Sequence, residues 1–262
     1  MRKKQRRKLH NVLPTWIGML MGVALWSVLA SAASSAGGRY KSPAVEVPAL
    51  DKAPAVLKIQ GRDDDVHVYP SDRFEIKYRF YLNDVRDISP EKAADIFSKF
   101  EVRYKNGVLT SKVPSSSAGY SGVGVLYEIG LPPKTGLEAN LVDGDVVIDR
   151  VVLSALKIHG VDGDISLNNT QILGALDVHL EDGDVTLNHA TLNGKIVLQD
   201  GDVLIKASRD NIGEVETKVS GDGEVEYHAS GCAVNAGNLS CTNGKGKLKI
   251  SVADGDVALR GN

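Results

Sequence analysis

The segment Asp143-Gly144-Asp145-Val146-Val147-Ile148 is the first of several similar segments that decide the fold of this chain. Its Asp-Gly-Asp triplet returns at Asp162-Gly163-Asp164, Asp182-Gly183-Asp184, Asp200-Gly201-Asp202 and Asp254-Gly255-Asp256. Two variants are Asp222-Gly223-Glu224 and, near the N-terminus, Asp63-Asp64-Asp65. The first four copies are 19, 20 and 18 residues apart. A repeat of about 20 residues is typical of a stack of similar structural units.

Apolar residues alternate with variable ones on both sides of each triplet. After the triplet they occupy the first and third positions, as Ile165 and Leu167 do. Before it they recur in the same way, as at Leu156 and Ile158. This period of two predicts short β-strands with one buried face. Each repeat therefore holds two strands, joined by the Asp-Gly corner at one end and by a polar corner such as Asn168-Asn169 at the other.

An Asp-Gly corner is compatible with two architectures. It is a common hairpin turn, but a series of hairpins gives no reason for both strands and both corners to repeat in register. A solenoid does, because each unit stacks on the equivalent positions of the previous one. We therefore predict an all-β fold, a flattened β-solenoid of about six two-strand rungs from Leu137 to Leu259. The residues expected in its interior include Ile165, Leu167, Val185, Leu187, Val203 and Ile205.

The N-terminus has the pattern of an export signal. Six basic residues are followed by an apolar stretch at residues 12–29 and by the small residues Ala30-Ser31-Ala32. We predict a signal peptide at residues 1–32, cleaved after Ala32, and a mature protein in the periplasm or at the cell surface. An uncleaved membrane anchor is the alternative, because the apolar stretch is nearly long enough to span a bilayer.

Export would make the mature chain acidic. Residues 1–32 hold six basic and no acidic side chains, so their removal takes the formal net charge from −2 to about −8 (−2 − 6). This charge argues against nucleic acid or an anionic membrane as a partner. We expect an unknown envelope or surface partner, and membrane contact only through the N-terminal segment if it is not cleaved.

The rest of the mature chain is predicted to divide into three parts. Residues 33–54 are rich in Ser, Ala, Gly and Pro and are expected to form a linker. Residues 55–136 are expected to form a β-rich cap with one short helix at residues 89–100, for which Ser89 is the N-cap. Within the cap, residues 57–68 repeat the pattern of the rungs, and Asn106-Gly107 indicates a hairpin. Residues 137–262 are expected to form the solenoid.

The step from Leu131-Pro132-Pro133-Lys134-Thr135-Gly136-Leu137 into Asp-Gly-Asp-Val rungs resembles the bacterial DUF4097 family, whose members are labelled as candidate adhesins. The resemblance covers about residues 55–259. It implies a β-rich surface or periplasmic protein without a known active site, from a family that is largely uncharacterised. The helix after Ser89 and the segment around Cys232 and Cys241 depart from the regular pattern of the family.

Cys232 and Cys241 are the only two cysteines of the chain. In an exported protein, two cysteines nine positions apart predict a disulfide. A metal site built on this pair is the alternative, but it lacks two further ligands, and His228 is the only candidate nearby. We therefore predict a disulfide and no metal site here.

Stacked corners would place the triplets' acidic residues in two parallel rows. Such rows could bind calcium, although calcium-binding β-rolls have their acids at other offsets. The interpretation that we favour is structural, since Asp and Gly accept the backbone angles of the corner and hydrogen-bond it locally. The residues of this turn ladder are Asp143, Gly144, Asp145, Asp162, Gly163, Asp164, Asp182, Gly183, Asp184, Asp200, Gly201, Asp202, Asp254, Gly255 and Asp256.

Paired acids are also typical of glycoside hydrolases, so a carbohydrate-active β-helix enzyme is an alternative function. An active site needs two acids in different environments, whereas these pairs are copies of one another. The histidines His159, His179, His189 and His228 fall on different rungs and corners, and the sequence shows no Ser-His-Asp set, phosphate loop or nucleotide motif. We expect a non-enzymatic envelope protein without a cofactor, adhesin-like or a scaffold or binding module that uses the solenoid faces.

Two irregularities lead to further expectations. Val215 and Val219 lie at odd offsets from Asp222, whereas the other repeats use even offsets, so we predict a bulge at residues 220–223. The last repeat, which contains Val257 and Leu259, has no obvious cap. We therefore expect the C-terminal rung to be an open edge that pairs with a second copy or with an envelope partner. The alternative is that the Cys232–Cys241 loop folds over this rung, or that Arg260 and the shortness of the edge suffice to protect it.

Overall fold

The computed structural model describes residues 40–47, 52–83, 88–113, 123–190, 193–207, 214–220, 224–228, 232–235, 238–241 and 247–261. The predicted signal peptide and its cleavage site lie outside these residues. The described residues form one helix, α1 (Pro90–Phe97), and 23 strands. The strands are β1 Tyr40–Lys41, β2 Val45–Glu46, β3 Val56–Gln60, β4 Asp64–Pro70, β5 Glu75–Leu82, β6 Glu101–Lys105, β7 Val108–Lys112, β8 Val123–Leu131, β9 Thr135–Asn140, β10 Val146–Asp149, β11 Val152–Gly160, β12 Ile165–Asn168, β13 Gln171–Ile172, β14 Leu176–Leu180, β15 Val185–Asn188, β16 Gly194–Asp200, β17 Val203–Ala207, β18 Glu214–Val219, β19 Val225–His228, β20 Cys232–Asn235, β21 Asn238–Cys241, β22 Lys247–Asp254 and β23 Val257–Gly261.

The strands lie in two sheets. Sheet A has the order β1-β5-β8-β4-β10-β12-β15-β17-β23-β19, with β2 beside β5. Sheet B has the order β20-β21-β18-β22-β16-β14-β11-β9-β3-β7-β6, with β13 beside β11. Throughout the stack, neighbouring strands are parallel and the two strands of each rung lie in different sheets. This topology confirms the flattened β-solenoid, because hairpins would make the neighbours antiparallel.

Each rung contributes one strand to each sheet. The six predicted rungs are present as the pairs β9/β10, β11/β12, β14/β15, β16/β17, β18/β19 and β22/β23. A seventh rung, β3/β4, stacks on the first of them, with Leu57 beside Leu137 and Val66 beside Val146. The variant triplet at residues 63–65 therefore belongs to a complete rung. Both sheets continue across residues 136 and 137, where the cap was expected to give way to the solenoid.

The space between the sheets is filled by apolar side chains. The six predicted core residues confirm the face assignment, because Ile165 and Val203 are 1% exposed and Leu167, Val185, Leu187 and Ile205 are 0% exposed. The residues between them on the strands, Ser166, Thr186 and Leu204, are partly exposed, as the alternation requires. Burying one such Leu or Ile contributes about 1.5–3 kcal/mol, so the repeated ladder is the main source of stability.

The cap contains the predicted helix and hairpin. The hydroxyl of Ser89 accepts the backbone N–H of Lys92 at 3.3 Å, as an N-cap does, and Ala93, Ile96 and Phe100 are buried. The helix ends at Phe97 and not at residue 100, where the sequence pattern predicted its end. The reason is that the backbone N–H of Phe100 donates to the carbonyl of Phe97. This i→i+3 hydrogen bond is of the 3₁₀ type, which tightens and ends an α-helix. No helix in the described ranges is long and apolar enough to cross a membrane.

The hairpin of the cap is formed by β6 and β7, which are antiparallel. At its turn, Asn106 and Gly107 have φ of 53° and 81°, the positive values that an Asn-Gly turn requires.

The linker prediction is wrong for residues 40–47. Strands β1 and β2 pair antiparallel with β5, so that Tyr40 lies opposite Leu82 and Val45 opposite Tyr78. The backbone N–H of Val47 also donates to the carbonyl of Ile76 at 2.9 Å. The composition of residues 33–54 does not reveal this pairing. The pairing depends on the edge of β5, which lies far away in the sequence and comes close only when the chain folds.

The prediction that the C-terminal rung ends the stack is wrong. The rung β22/β23 lies between β16/β17 and β18/β19, so that Ile250 has Ile196 on one side and Thr217 on the other. Both of its strands are paired on both sides. The chain leaves the stack through the hairpin β20/β21, which pairs antiparallel with β18, and returns to fill the inner position. Among the described strands, sheet A therefore ends at β19 and not at β23.

The register on either side of Asp222 differs by one residue, which agrees with the bulge predicted at residues 220–223. Val219 lies beside Val252, whereas Val225 lies beside Val257. Val225 comes six residues after Val219, whereas Val257 comes only five residues after Val252. One extra residue therefore lies between Val219 and Glu224. It keeps Val215 in the interior, where it is 1% exposed. Residues 221–223 themselves lie outside the described part of the chain.

Candidate functional site

The Asp-Gly-Asp corners stack along one edge of the solenoid. Their glycines have φ between 114° and 128°, values that favour glycine over any residue with a Cβ. The stacking itself is equally restrictive. A Cβ on Gly183 would lie 2.4 Å from the carbonyl oxygen of Gly163 on the preceding rung. The glycines are therefore required both by the turn and by the close approach of successive backbones.

The second acid of each corner binds the next rung. The Oδ1 atom of Asp145 accepts the backbone N–H of Asp164 at 3.1 Å, and that of Asp164 accepts the N–H of Asp184 at 2.9 Å. The same bond recurs along the stack. The Oδ1 atom of Asp65 accepts the N–H of Asp145, that of Asp184 accepts the N–H of Asp202, that of Asp202 accepts the N–H of Asp256, and that of Asp256 accepts the N–H of Glu224. These carboxylates hydrogen-bond the corners, as the structural interpretation requires, but the bonds join successive rungs and do not close each corner locally.

The first acids of the described corners form a neighbouring, exposed row. They are Asp143, Asp162, Asp182, Asp200 and Asp254. Burial, followed by the charges of Asp162 and other nearby acids, raises the pKa of Asp143. The corners repeat one backbone arrangement, so they do not provide the two unlike acids of a glycosidase. A row of acids also does not define a calcium site by itself.

The corner of the N-terminal rung differs from the others, because Asp64 takes the place of glycine. Asp64 is 0% exposed, and the hydroxyl of Ser111 donates to its Oδ2 atom at 2.5 Å. Its Oδ1 atom has no hydrogen-bond partner among the described residues. Burial raises the pKa of Asp64 to about 7. Gly61 makes room for the carboxyl, since a Cβ there would lie 1.7 Å from Oδ2.

The two cysteines lie directly opposite each other. Cys232 on β20 and Cys241 on β21 are register partners in an antiparallel pair. Opposed residues of antiparallel strands have Cβ atoms about 4.5–5.5 Å apart, close to the separation that a disulfide spans. The backbone arrangement is therefore suitable for the disulfide, which itself stays a prediction.

Sequence reasoning missed a cluster on the outer face of sheet B. His159 on β11 and His179 on β14 are register partners, and their ring centroids are 5.0 Å apart. The Nε2 atom of His179 lies 3.0 Å from Oδ1 of Asp177. The two histidines do lie on different rungs, as expected, but stacking of the rungs makes them neighbours. The available signal was their shared offset, because each stands three residues before the first acid of its triplet.

The same face carries two outward rows that cross the rungs. The residues of the charged row are Lys58, Glu138, Lys157, Asp177, Lys195, Lys249 and Glu216. The signs mostly alternate, and the ends of the row form ion pairs, Lys58–Glu138 at 2.8 Å and Lys249–Glu216 at 2.7 Å. The residues of the second row, the histidine row, are Asn140, His159, His179, Val197, Ser251 and Lys218.

An open groove with a volume of about 670 Å³ follows the histidine row. Its lining includes Asn140, His159, His179, Val197 and Ser251, which come from five successive rungs. The groove is shallow and runs across the strands, beside the Asp-Gly-Asp edge. It joins the histidine cluster to an extended surface of mixed polarity.

The fold therefore places the chain among the β-solenoid repeat proteins. Residues 134–260, which hold the six predicted rungs, match the family described as Toastrack DUF4097, in agreement with the resemblance noted in the sequence. None of the curated proteins matches the chain.

Solved structures resemble the chain at low sequence identity. A "putative cell adhesion protein" from Clostridium sporogenes is 15% identical with a TM-score of 0.49, over 86% of this chain and 100% of that one. A "putative adhesin" from Bacteroides fragilis is 11% identical with a TM-score of 0.39, over 84% and 97%. A "putative lipid binding protein" from Parabacteroides distasonis is 12% identical with a TM-score of 0.33, over 85% and 96%. Likenesses at this level carry no argument about function.

Proposed function

We propose that the protein is an exported, non-enzymatic component of the cell envelope, an adhesin-like or scaffold module that binds an envelope or surface partner through a solenoid face. The observation that carries this proposal is the outer face of sheet B. Seven parallel strands present the charged row there and six of them also present the histidine row, in register, with an open groove along the second row.

The face is suited to binding because it is extended and held in one arrangement. Neighbouring strands are about 4.8 Å apart, so the histidine row extends over about 24 Å and the charged row over about 29 Å. The filled interior and the bonds between corners fix the spacing of the rungs. A preorganised surface loses little conformational entropy when a partner binds, which favours a binding role for this face.

Export is supported by independent features of the sequence. The basic start, the apolar stretch and the small residues before Ala33 have the order of a cleavable signal. The opposed pair Cys232 and Cys241 suits an oxidising compartment. N-terminal sequencing of the exported form tests the proposal, and we expect it to begin near Ala33. Membrane-bound protein that retains Met1 would establish an uncleaved anchor.

The binding role is tested with two charge-reversal variants on the same two rungs. Lys195→Glu with Lys249→Glu alters the charged row of sheet B, where the two lysines are neighbours. Lys206→Glu with Arg260→Glu makes the same change in charge on the opposite sheet, where these residues are also neighbours. Each protein is immobilised and exposed to solubilised envelope, and circular dichroism checks that both variants fold.

We expect an envelope partner to be retained by the unaltered protein and by the sheet A variant, and to be lost from the sheet B variant. Equal retention by both variants would show that the outer face of sheet B is not the binding surface. Failure of the unaltered protein to retain any envelope component would contradict the binding role itself.

A further inference from the structure

The histidine cluster has the donor atoms and spacing of a metal site. His159, Asp177 and His179 each offer one ligand atom, and the three atoms lie within 4.8 Å of one another. The Nε2 atom of His159 is enclosed and has no hydrogen-bond partner among the described residues. An imidazole nitrogen without a partner at this position has a lone pair or a proton to direct towards a ligand.

We propose that His159, Asp177 and His179 form a binding site for a divalent transition-metal ion of the Zn²⁺ class. Two imidazoles and one carboxylate are a donor set that zinc uses when it keeps an open position. Imidazole donors also disfavour Ca²⁺ and Mg²⁺, which prefer oxygen ligands alone. The site is separate from the acidic corners. It lies on the face proposed for binding, but metal binding is measured without the partner, so the two proposals can fail separately.

Only small side-chain movements are needed to close the site. Zinc binds nitrogen and oxygen at about 2.0–2.2 Å, so ligand atoms around a tetrahedral ion lie about 3.3 Å apart. The separations of up to 4.8 Å must therefore shorten by about 1.5 Å at most. The side chains of Asp177 and His179, which lie 3.0 Å apart, are each 40% exposed, which leaves room for such movements. The pairing of β11 with β14 holds the backbone positions in register.

The surrounding charges are nearly balanced. Lys157 and Lys195 flank Asp177 on the neighbouring strands and oppose a cation. The carboxylates of Asp177, of Glu138 in the charged row and of Glu181 in the groove lining favour it.

Three protein ligands leave one position of a tetrahedral ion open. Because His159 and His179 line the groove, this position faces the groove, where water or a donor atom from a molecule in the groove completes the coordination. The site would thus allow a ligand with a carboxylate, imidazole or thiolate group to be held on the face through the metal.

The test is a titration of the purified exported protein, without a histidine tag, with Zn²⁺ alone and with Co²⁺ alone as a spectroscopic probe. Calorimetry is expected to show one Zn²⁺ per chain, and Co²⁺ to give the absorption of a low-coordinate site. His159→Gln and His179→Gln are each expected to weaken binding by at least the 10–100-fold that is typical when a supporting group of a metal site is lost.

His67→Gln is the matched control, because His67 is a partly exposed residue of β4 on the opposite sheet. It is expected to leave Zn²⁺ affinity unchanged. Melting curves of the metal-free proteins should coincide, since the two cluster histidines lie on an outer face. Absence of Zn²⁺ binding, or equal affinity in the double variant of His159 and His179, would overturn the proposal.

Discussion

The Oδ1 atom of Asp164 accepts the backbone N–H of Asp184, on the next rung, at 2.9 Å. The two residues are 20 positions apart in the chain and equivalent in the repeat. The bond satisfies the backbone N–H of Asp184 at the corner, just outside the paired strands. It also fixes the register of successive rungs. Repetition of the second acid is thereby explained without a ligand.

Asp164→Ala should lower the free energy of unfolding by about 1 kcal/mol, the usual net contribution of one hydrogen bond. Asp164→Asn should restore most of the loss, because the amide oxygen can still accept the N–H of Asp184. Asp162→Ala, in the exposed first row of the same corner, is the control and should have little effect. Urea denaturation measures all three, and equal losses at Asp162 and Asp164 would contradict the assigned role.

Gly183→Ala should destabilise the protein by more than about 2 kcal/mol. Gly183 has φ of 119°, and the added Cβ would meet the backbone oxygen of Gly163 at 2.4 Å. Strain in such a backbone region alone costs about 1–3 kcal/mol. In the control Gly160→Ala, the one close contact of the Cβ would be a methyl group of Leu180 at 2.8 Å, since the next atom, the carbonyl oxygen of Leu141, is 3.8 Å away. The midpoints of thermal unfolding should therefore fall further for the first variant than for the second.

The interior ladder is tested by charge. Leu187→Asp should unfold the domain, because Leu187 is 0% exposed and an unpaired carboxylate would enter the apolar interior. Thr186→Asp, one residue earlier on the outer face, should be nearly silent. Circular dichroism and gel filtration compare the two proteins, and similar behaviour of both would mean that the assignment of faces is wrong.

The rungs and their buried face could be predicted because both depend on patterns within a few neighbouring residues of the sequence. A period of two around Ile165 and a triplet at a fixed offset identify each strand and its inner side. The stacking order of the last two rungs could not be predicted in this way. The apolar pattern of Leu248 and Ile250 fits beside any rung, and chain order is a poor guide once a hairpin such as β20/β21 intervenes.

Contacts between distant segments were also beyond a local reading. The pairing of Tyr40 with Leu82 depends on an edge that exists only in the folded sheet. The meeting of His159 and His179 follows from the repeat itself, yet it appears only when equivalent offsets are compared across rungs. The solenoid converts a separation of 20 residues into contact between neighbouring strands.

The opposed cysteines should form a disulfide in the exported protein. Mass spectrometry of the protein digested without reductant should show the peptides of Cys232 and Cys241 linked. Closing so short a loop stabilises by roughly 2–3 kcal/mol, so reduction should lower the free energy of unfolding by about that amount. The double variant Cys232→Ser, Cys241→Ser controls for other effects of the reductant and should not respond to it. Two free thiols in the exported protein would contradict the prediction.

Asp64 should make the protein less stable as the pH rises. Burial raises its pKa to about 7 in the folded state, and the charges of Asp63 and Asp65 add to the rise, while Ser111 opposes it. In the unfolded chain an Asp has a pKa of about 3.9. Between about pH 4 and pH 7 the unfolded state therefore releases the proton while the folded state keeps it, and the free energy of unfolding falls.

Asp64→Asn removes this titration and keeps a similar shape beside Gly61. We expect its free energy of unfolding to exceed that of the unaltered protein by a few kcal/mol at pH 8, and the difference to shrink towards pH 4. Asp162→Asn, at an exposed corner, is the control and should keep the pH dependence of the unaltered protein. Urea denaturation at pH 4, 6 and 8 measures the three proteins. If Asp64→Asn retains the full decrease in stability between pH 4 and pH 8, Asp64 is ionised in the folded state and its burial does not govern the pH dependence.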